Sequence, residues 1–407
     1  MSNSENVDHK KLGPALDLFT FSDLVGSGLP LFTPKGTIIR DLLDGFVWGL
    51  RKEKGYARVD IPHLAKKELY EMSGHWDKFE DELFHITTRE GHEFALKPMN
   101  CPHHVEIYRR KKWSYRELPQ RYASTTKMYR DEQTGELGGL ARVRSITIDD
   151  AHVFCRFDQA EEEANRIWDI IEAFYGAFDF PLTPRLSLHD PKEMDKYLGT
   201  SEEWRKAEDV LRGLVRARGV EAHEAPGEAA FYGPKIDFMS KDSLGREWQV
   251  ATIQLDLNLP ERFNLTCVNE KGENERIVML HAAIMGSIER FMAVLIEHFG
   301  GAFPVWLAPV QVALMPIGEA HKEYAREVCD TLMAQDIRVE LYNADETIGK
   351  RIRTAETQKV PYIAVVGDKE VSAKSVALRT REEKDAGMVT VDEFIARITK
   401  EVEERTL

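Results

Sequence analysis

Residues 127–154, KMYRDEQTGELGGLARVRSITIDDAHVF, constrain the fold of this chain most. A strand-like run ends in Arg130 and Glu132, a loop carries Gly135, Gly138 and Gly139, and a second run extends from Ala141 to Phe154. Two short runs joined by a glycine-containing loop predict a long antiparallel hairpin. Strand side chains alternate between faces, so Arg142, Arg144, Asp150 and His152 are predicted to share one face, with slack for bulges. Such a hairpin offers guanidinium groups for phosphate beside a carboxylate and an imidazole. The residues alone fit a charged, solvated hairpin equally well.

The whole chain is long enough for two or three cored domains, with 407 residues and 43% hydrophobic content. Its net charge of −14 excludes a generic basic nucleic-acid coat, so an RNA partner must meet a local basic patch. Cys101, Cys155, Cys267 and Cys329 form no C-x-x-C pair, which points to a reducing compartment, taken as the cytoplasm. The polar start MSNSENVDHKK lacks a signal-peptide core, and no uncharged apolar run is long enough to predict a membrane span.

Residues 1–9 read as a flexible tail and 10–302 as the larger domain. Gly36 to Lys54 has a helical apolar stripe, and Arg58 to Ile61 reads as a strand ending at Pro62. Helices are predicted over Asp158 to Phe180, Thr200 to Arg218 and Ser287 to Phe299, and a strand over Glu247 to Leu257. His75, in Gly74-His75-Trp76, reads locally as a surface histidine. Composition shifts at Phe303 to Pro309, and strands then alternate with helices, which predicts a small α/β domain over 303–407.

Neither a P-loop nor a Rossmann glycine pattern occurs, so phosphate binding would rest on Arg130, Arg142, Arg144 and Arg290. Glu132 and Glu289 could read amine protons or help hold a metal. Cys101, His152 and His281 could supply three metal ligands with one position open, or Cys101 could be a free buried thiol. Their spacing does not choose between these.

At KPMNCPHH, YRDE, RVRSITIDDAHVF, AAFYGPKIDF and HAAIMGSIERF the chain resembles the threonyl-tRNA synthetases, class II aminoacyl-tRNA synthetases. The resemblance runs in order from about Asp8 to Leu407. It implies an α+β catalytic domain, an antiparallel sheet flanked by helices, followed by an α/β anticodon-binding domain. It also implies a homodimer formed through Gly36 to Pro62, and the substrates threonine, ATP with Mg2+, and tRNA(Thr).

Residue by residue, the resemblance gives Arg130 the α-phosphate and the substrate carboxylate, Glu132 the adenine, and Arg142 the γ-phosphate. Ser287 and Arg290 fall in the third class II motif, on ATP, and Gln249 is a further ATP contact. Cys101, His152 and His281 match zinc ligands, and Asp150 the carboxylate that receives the threonine hydroxyl. Tyr232, Lys235 and Met99 match other substrate contacts, and His75 a histidine implicated in transfer to the terminal ribose. Asp345, Glu370 and Arg379 match anticodon contacts, with asparagine expected at 345.

Four departures stand out. Ile146 replaces an aromatic expected on adenine, Ile148 a polar pocket residue, and Ala282 an arginine; Ser124-Thr125-Thr126-Lys127 also differs from the expected pattern. They leave open a paralogue with altered amino-acid choice, or a non-catalytic regulator that binds tRNA-like RNA. The family commonly adds an N-terminal editing domain, for which this sequence leaves no room before the match begins, so serine misactivation without clearance in cis is expected.

Overall fold

The computed structural model describes residues 7–241 and 245–407, which fall into two compact units. One comprises Phe21–Pro30 and Leu43–Ala293; the other comprises residues 7–20, Leu31–Leu42 and Val294–Leu407. Among the described residues no helix is long and apolar enough to cross a membrane.

The first unit is built on an 8-stranded sheet. Its spatial order is His223–Pro226, Thr183–Leu188, Lys235–Lys241, Glu247–Asp256, Val278–Ser287, Ser145–Cys155, Gln120–Tyr129 and Ala57–Arg58. The two edge strands, His223–Pro226 and Ala57–Arg58, run parallel to their neighbours, and the strands between are antiparallel. The predicted hairpin is therefore present, as Gln120–Tyr129 paired with Ser145–Cys155. Its second strand is shorter than predicted. Arg142 and Arg144 lie in the connection that precedes Ser145, so they do not share a strand face with Asp150 and His152. The reason is local: Arg144 donates its backbone N–H to Gly28 O at 2.8 Å, and Gly138 N–H bonds to Arg142 O, so these backbones are engaged outside the ladder.

Helices Ala160–Gly176 and Ser201–Ala217 arise at the predicted stripes. Phe174 packs its ring 5.2 Å from Phe46 and 5.3 Å from Phe291, and the buried Tyr175 hydroxyl donates to Val250 O or Ile284 O, 2.9 and 2.8 Å away. The helix Pro34–Glu53 carries Arg51 into this unit. Arg51 is almost fully buried, and its Nη2 lies 3.1 Å from the buried Asp149 Oδ2 and 3.0 Å from Asp149 O. Asp149 also accepts the N–H groups of Ile284 and Met285, at 2.9 and 3.0 Å. At the Gly233-Pro234 turn the backbone passes so close to Leu255 O that a Cβ at 233 would lie 2.2 Å from it.

The second unit holds a 5-stranded sheet in the order Val339–Leu341, Val312–Pro316, Tyr362–Val366, Ser375–Thr380 and Met388–Thr390. The first three strands are parallel to one another, and Ser375–Thr380 runs antiparallel to both of its neighbours. Helices Lys322–Met333, Ile348–Thr357 and Val391–Glu403 accompany it, and Val312, Leu314, Leu332, Ala364, Phe394 and Ile398 form its core. The predicted tail is only partly outside the described residues. Asp8 caps a helix His9–Ala15, and His9 is buried with Nδ1 2.7 Å from Glu297 Oε1, so residues 8 and 9 are structured rather than loose.

Breaking the Arg51–Asp149 pair from one side strands a buried carboxylate. Arg51→Met is expected to cost on the order of 3–5 kcal/mol, read as a fall in thermal or urea unfolding midpoint. A variant as stable as wild type would show that the pair is not a principal fastening.

Candidate active site

The even-numbered residues of the strand Ser145–Cys155 run along the site. Ile146 and Ile148 line a pocket of about 280 Å³, with Arg130, Glu132, Arg142, Gln249, Ser287 and Arg290 around it. Asp150 and His152 continue along the same face.

Arg130 leaves the end of the strand Gln120–Tyr129. Its Nη2 lies 3.3 Å from Met99 Sδ, and its guanidinium sits 5.0 Å from the Phe79 ring centroid. Arg142 is held by Glu132, with Nε donating to Oε2 at 2.7 Å, and Arg144 Nε donates to Glu132 O at 2.9 Å. Arg290 follows the glycine turn at Gly286, whose φ is 66°, and has no ion-pair partner among the described residues. Although Arg290 is solvent-accessible, desolvation by the pocket walls and then the charges of Arg130 and Arg142 lower its pKa below the usual guanidinium value. Convergent cations with one charge unpaired make a site for a polyanion. Glu289 takes another role than the one read from the sequence. It is buried and accepts Thr147 N–H at 2.8 Å, the Thr147 hydroxyl at 2.7 Å and the Ser287 hydroxyl at 3.1 Å, so it is a structural clamp.

Cys101, His152 and His281 converge, all buried, with their ligand atoms within 4.8 Å of one another. They come from the N-terminus of the helix Cys101–Arg109 and from paired strand positions, since His152 and His281 are directly opposite in the ladder. The bond to Asp256 decides which nitrogen of His281 is free. His281 Nε2 is 3.0 Å from Asp256 Oδ2, and a carboxylate there requires the proton on Nε2. His152 Nδ1 is 2.7 Å from His104 Nδ1, and His104 Nε2 is 3.0 Å from Ser124 Oγ. With His152 donating from Nδ1, two lone pairs, His152 Nε2 and His281 Nδ1, face each other at 3.0 Å. A shared cation would resolve that opposition, with Asp256 and His104 as the outer partners orienting the two imidazoles. Burial holds His152 well below the usual imidazole pKa, as a neutral ligand must be, and holds its neighbour His104 low as well. Burial likewise raises the Cys101 thiol, which a bound metal would deprotonate. The donor set fits zinc.

His75 is buried, not at the surface, because tertiary packing closes over it: its Nε2 is 3.4 Å from Cys101 Sγ and its ring is 5.8 Å from Phe79. Burial, followed by the charges of His281, Arg130 and Arg262, pulls its pKa down to about 3. Tyr232 lies 5.0 Å from the His281 ring. Lys235 and Gln249 both reach the buried Asp237, through Lys235 Nζ at 2.8 Å and Gln249 Nε2 at 2.7 Å. Asp237 also takes Arg185, Ser187 and Thr252, a network the sequence reading missed because its members lie on different strands. Ala282 is buried in the ladder between Ile253 and Ala151. The anticodon candidates lie in the second unit: Asp345 in an exposed turn, Glu370 in the helix Asp368–Ala373, and Arg379 on the strand Ser375–Thr380, with no hydrogen bond or ion pair joining them among the described residues.

A profile for the class II tRNA synthetase core domain of the G, H, P, S and T types matches residues 83–299, and an anticodon-binding domain profile matches 311–401. The chain belongs to the class II tRNA synthetases. Within that class its relatives include the threonine–tRNA ligase of Cytophaga hutchinsonii, 46% identical over 99% of this chain and 63% of the relative. The structure of the RNA binding domain of threonyl-tRNA synthetase from Cryptosporidium parvum superposes with a TM-score of 0.92 at 36% identity, covering 97% of this chain and 98% of that one. A putative threonyl-tRNA synthetase from Aeropyrum pernix gives 0.86 at 30% identity, covering 98% and 96%. The chain spans about 63% of the length of the first curated relatives it matches.

Lys97 is a residue the motif KPMNCPHH contained but the sequence did not single out. It is fully buried, with Nζ 3.0 Å from Thr126 Oγ1, and burial lowers its pKa from 10.5 to about 8 against the opposing pull of Asp150 and Asp60. Between those values the unfolded chain binds more protons than the folded one, so stability rises with pH across about 8 to 10.5 and is flat below. Lys97→Met is expected to abolish that rise in pH-dependent unfolding. An unchanged pH slope would show that Lys97 is charged throughout.

Proposed function

We propose that this chain joins threonine to ATP as threonyl-adenylate and transfers the threonyl group to the 3′ end of tRNA(Thr). The observation that carries the reading is the succession along one strand face: an arginine pocket at Ile146 and Ile148, then Asp150, then the Cys101–His152–His281 donor set. Arg130, Arg142 and Arg290 hold the phosphates of ATP, which arrives with Mg2+, and Glu132 and Gln249 border the same pocket. Little covalent help from protein is needed. Placing the carboxylate of threonine in line with the α-phosphate, and stabilising the charge that develops there with Arg130, suffices. Zinc bound by Cys101, His152 and His281 would supply a Lewis acid for the amine and hydroxyl of threonine. Asp150 accepts the hydroxyl proton, while Tyr232, Lys235 and Met99 bound the substrate. His75 lies against Cys101, within reach of a role in transfer to the ribose.

Residues 10–302 serve catalysis and 303–407 read the anticodon through Asp345, Glu370 and Arg379, a division supported by the positions of the two domain matches. The working form is a cytoplasmic homodimer joined through Gly36 to Pro62. Valine matches threonine in shape but leaves Asp150 without its donor, a defect worth roughly 10⁴ or more in selectivity. Serine loses only a methyl group, worth about 1–3 kcal/mol.

Threonine-dependent ATP–pyrophosphate exchange on zinc-loaded protein is expected to exceed serine exchange, with valine near background. Cys101→Ser is expected to lose bound zinc by elemental analysis. No exchange with threonine in zinc-bearing protein would overturn the ligase reading and favour an RNA-binding paralogue. Arg379→Ala is expected to weaken tRNA charging and spare exchange; equal loss of both would remove Arg379 from anticodon binding.

A further inference from the structure

An acidic chain that works on RNA has to concentrate positive charge somewhere. The arginine pocket is occupied by the nucleotide in the reading above, so another cationic surface is needed. Arg109, Arg110, Lys111 and Lys112 follow one another in sequence, and all are exposed. Arg109 ends the helix Cys101–Arg109, and Arg110 Nη1 donates to Ile107 O at 2.6 Å. Complementing the helix dipole accounts for those two. It does not account for Lys111 and Lys112, which lie beyond the helix.

Trp113 organises the run. It is buried, with its Nε1–H donating to Tyr108 O at 2.8 Å and its ring stacked 5.7 Å from Tyr108. Lys111 Nζ sits 3.9 Å and the Arg110 guanidinium 4.9 Å from its ring centroid. Cations held on an aromatic ring lose less freedom on binding than free ones. The short strand Trp113–Ser114 pairs with Thr266–Val268, which pairs with Asn274–Arg276. Beside this small sheet lies a groove of about 420 Å³, where Arg109, Lys111 and Lys112 meet the polar side chains of Asn264, Thr266 and Asn274, and among the described residues no carboxylate lines the walls. Glu106 pairs with Arg109, and Glu117 with Lys111 at 2.9 Å, but both are exposed pairs that a phosphate can displace. Lys112 has no ion-pair partner among the described residues.

We propose that this groove holds the sugar–phosphate backbone of the RNA substrate. The cations already seated on Trp113 leave it unsuited to stacking a base, so the contact is made to phosphate and carries no base sequence. The proposal rests on the reading of the chain as a tRNA ligase, and its test separates the two.

Binding of tRNA is measured by fluorescence anisotropy across a salt series, on the full chain, for wild type and for R109Q/K111Q/K112Q. Each phosphate contact contributes about 0.7–0.9 to the slope of log K against log salt. The triple variant is expected to lower that slope by about 2 to 3, equally for tRNA and for an unrelated RNA hairpin. The charge-preserving R109K/K111R/K112R is expected to keep it, and Lys112→Gln alone to lower it by about 0.7–0.9. Threonine-dependent exchange should be unchanged in all of them. An unchanged slope in the neutralised variants overturns the proposal, as does loss of binding in the charge-preserving one, which would assign the residues to packing. Binding to anionic phosphatidylserine vesicles that depends on these residues, with RNA binding that does not, also overturns it. Absence of exchange in wild type would remove the ligase reading and leave the salt slope to decide the groove.

Discussion

Two buried carboxylates fasten the strand on which the site is laid out. Glu289 takes Thr147 through both its backbone N–H and its hydroxyl, and Asp149 is gripped by Arg51 and by the N–H groups of Ile284 and Met285. Both anchor points are odd-numbered positions of the strand Ser145–Cys155. The even-numbered positions, from Ile146 to His152, face the other way and carry the chemistry. One face is therefore spent on holding the strand in register, and the other is free to present side chains at fixed spacing. A slip of one residue would exchange the two sets and bury Asp150 and His152 where Thr147 and Asp149 now sit. The strength of the odd-face bonds is what makes the even-face geometry dependable.

The periodic elements were legible in the sequence. The hairpin, the helices around Phe174 and Trp204, and the alternating α/β pattern after Phe303 all follow from hydrophobic spacing that matches what the structure buries. The site was less legible, for identifiable reasons. Arg142 and Arg144 read as strand residues because alternation alone cannot tell that a backbone N–H is bonded elsewhere, as Arg144 is to Gly28. His75 read as exposed because its cover comes from Phe79, Phe231 and Tyr232, and the last two lie far away in sequence. Asp237 went unnoticed because its partners sit on neighbouring strands. In each case the information lay in pairing between segments, which single-sequence periodicity does not hold.

The departing segment Ser124 to Lys127 shows how substitutions can stay compatible with such a site. Ser124 meets His104 Nε2, and His104 Nδ1 meets His152 Nδ1, so Ser124 stands at the end of a chain of contacts that reaches a metal-ligand candidate. Thr126 meets Lys97 Nζ in the interior, giving that ammonium a hydrogen bond there. These hydroxyls are small, and each can donate or accept, so they satisfy buried partners without adding charge. The segment differs from the expected pattern, yet both of these side chains serve the interior around Asp150 and His152. Ile146 and Ile148 are another matter. They line the arginine pocket with apolar surface, leaving recognition of whatever enters to the cations and to Glu132 and Gln249.

Charge is distributed with the same economy. Desolvation in the arginine pocket, and then the charges of Arg130 and Arg142, lower the pKa of Arg290, an arrangement that costs free energy until an anion enters. Arg142 is partly neutralised by Glu132, whereas Arg290 is left without a counter-ion among the described residues. An entering polyphosphate gains most where the cation has nothing to give up, at Arg290, and less at Arg142, where a carboxylate must first be displaced. The same contrast separates Lys112 from Lys111 in the groove beside Trp113. In both places a paired cation fixes the geometry, and an unpaired neighbour supplies the unspent attraction. A protein with an overall charge of −14 can in this way bind anions locally while its bulk field repels them. Long-range attraction to a polyanion is then weak, and recognition falls to surfaces that must be reached before they act.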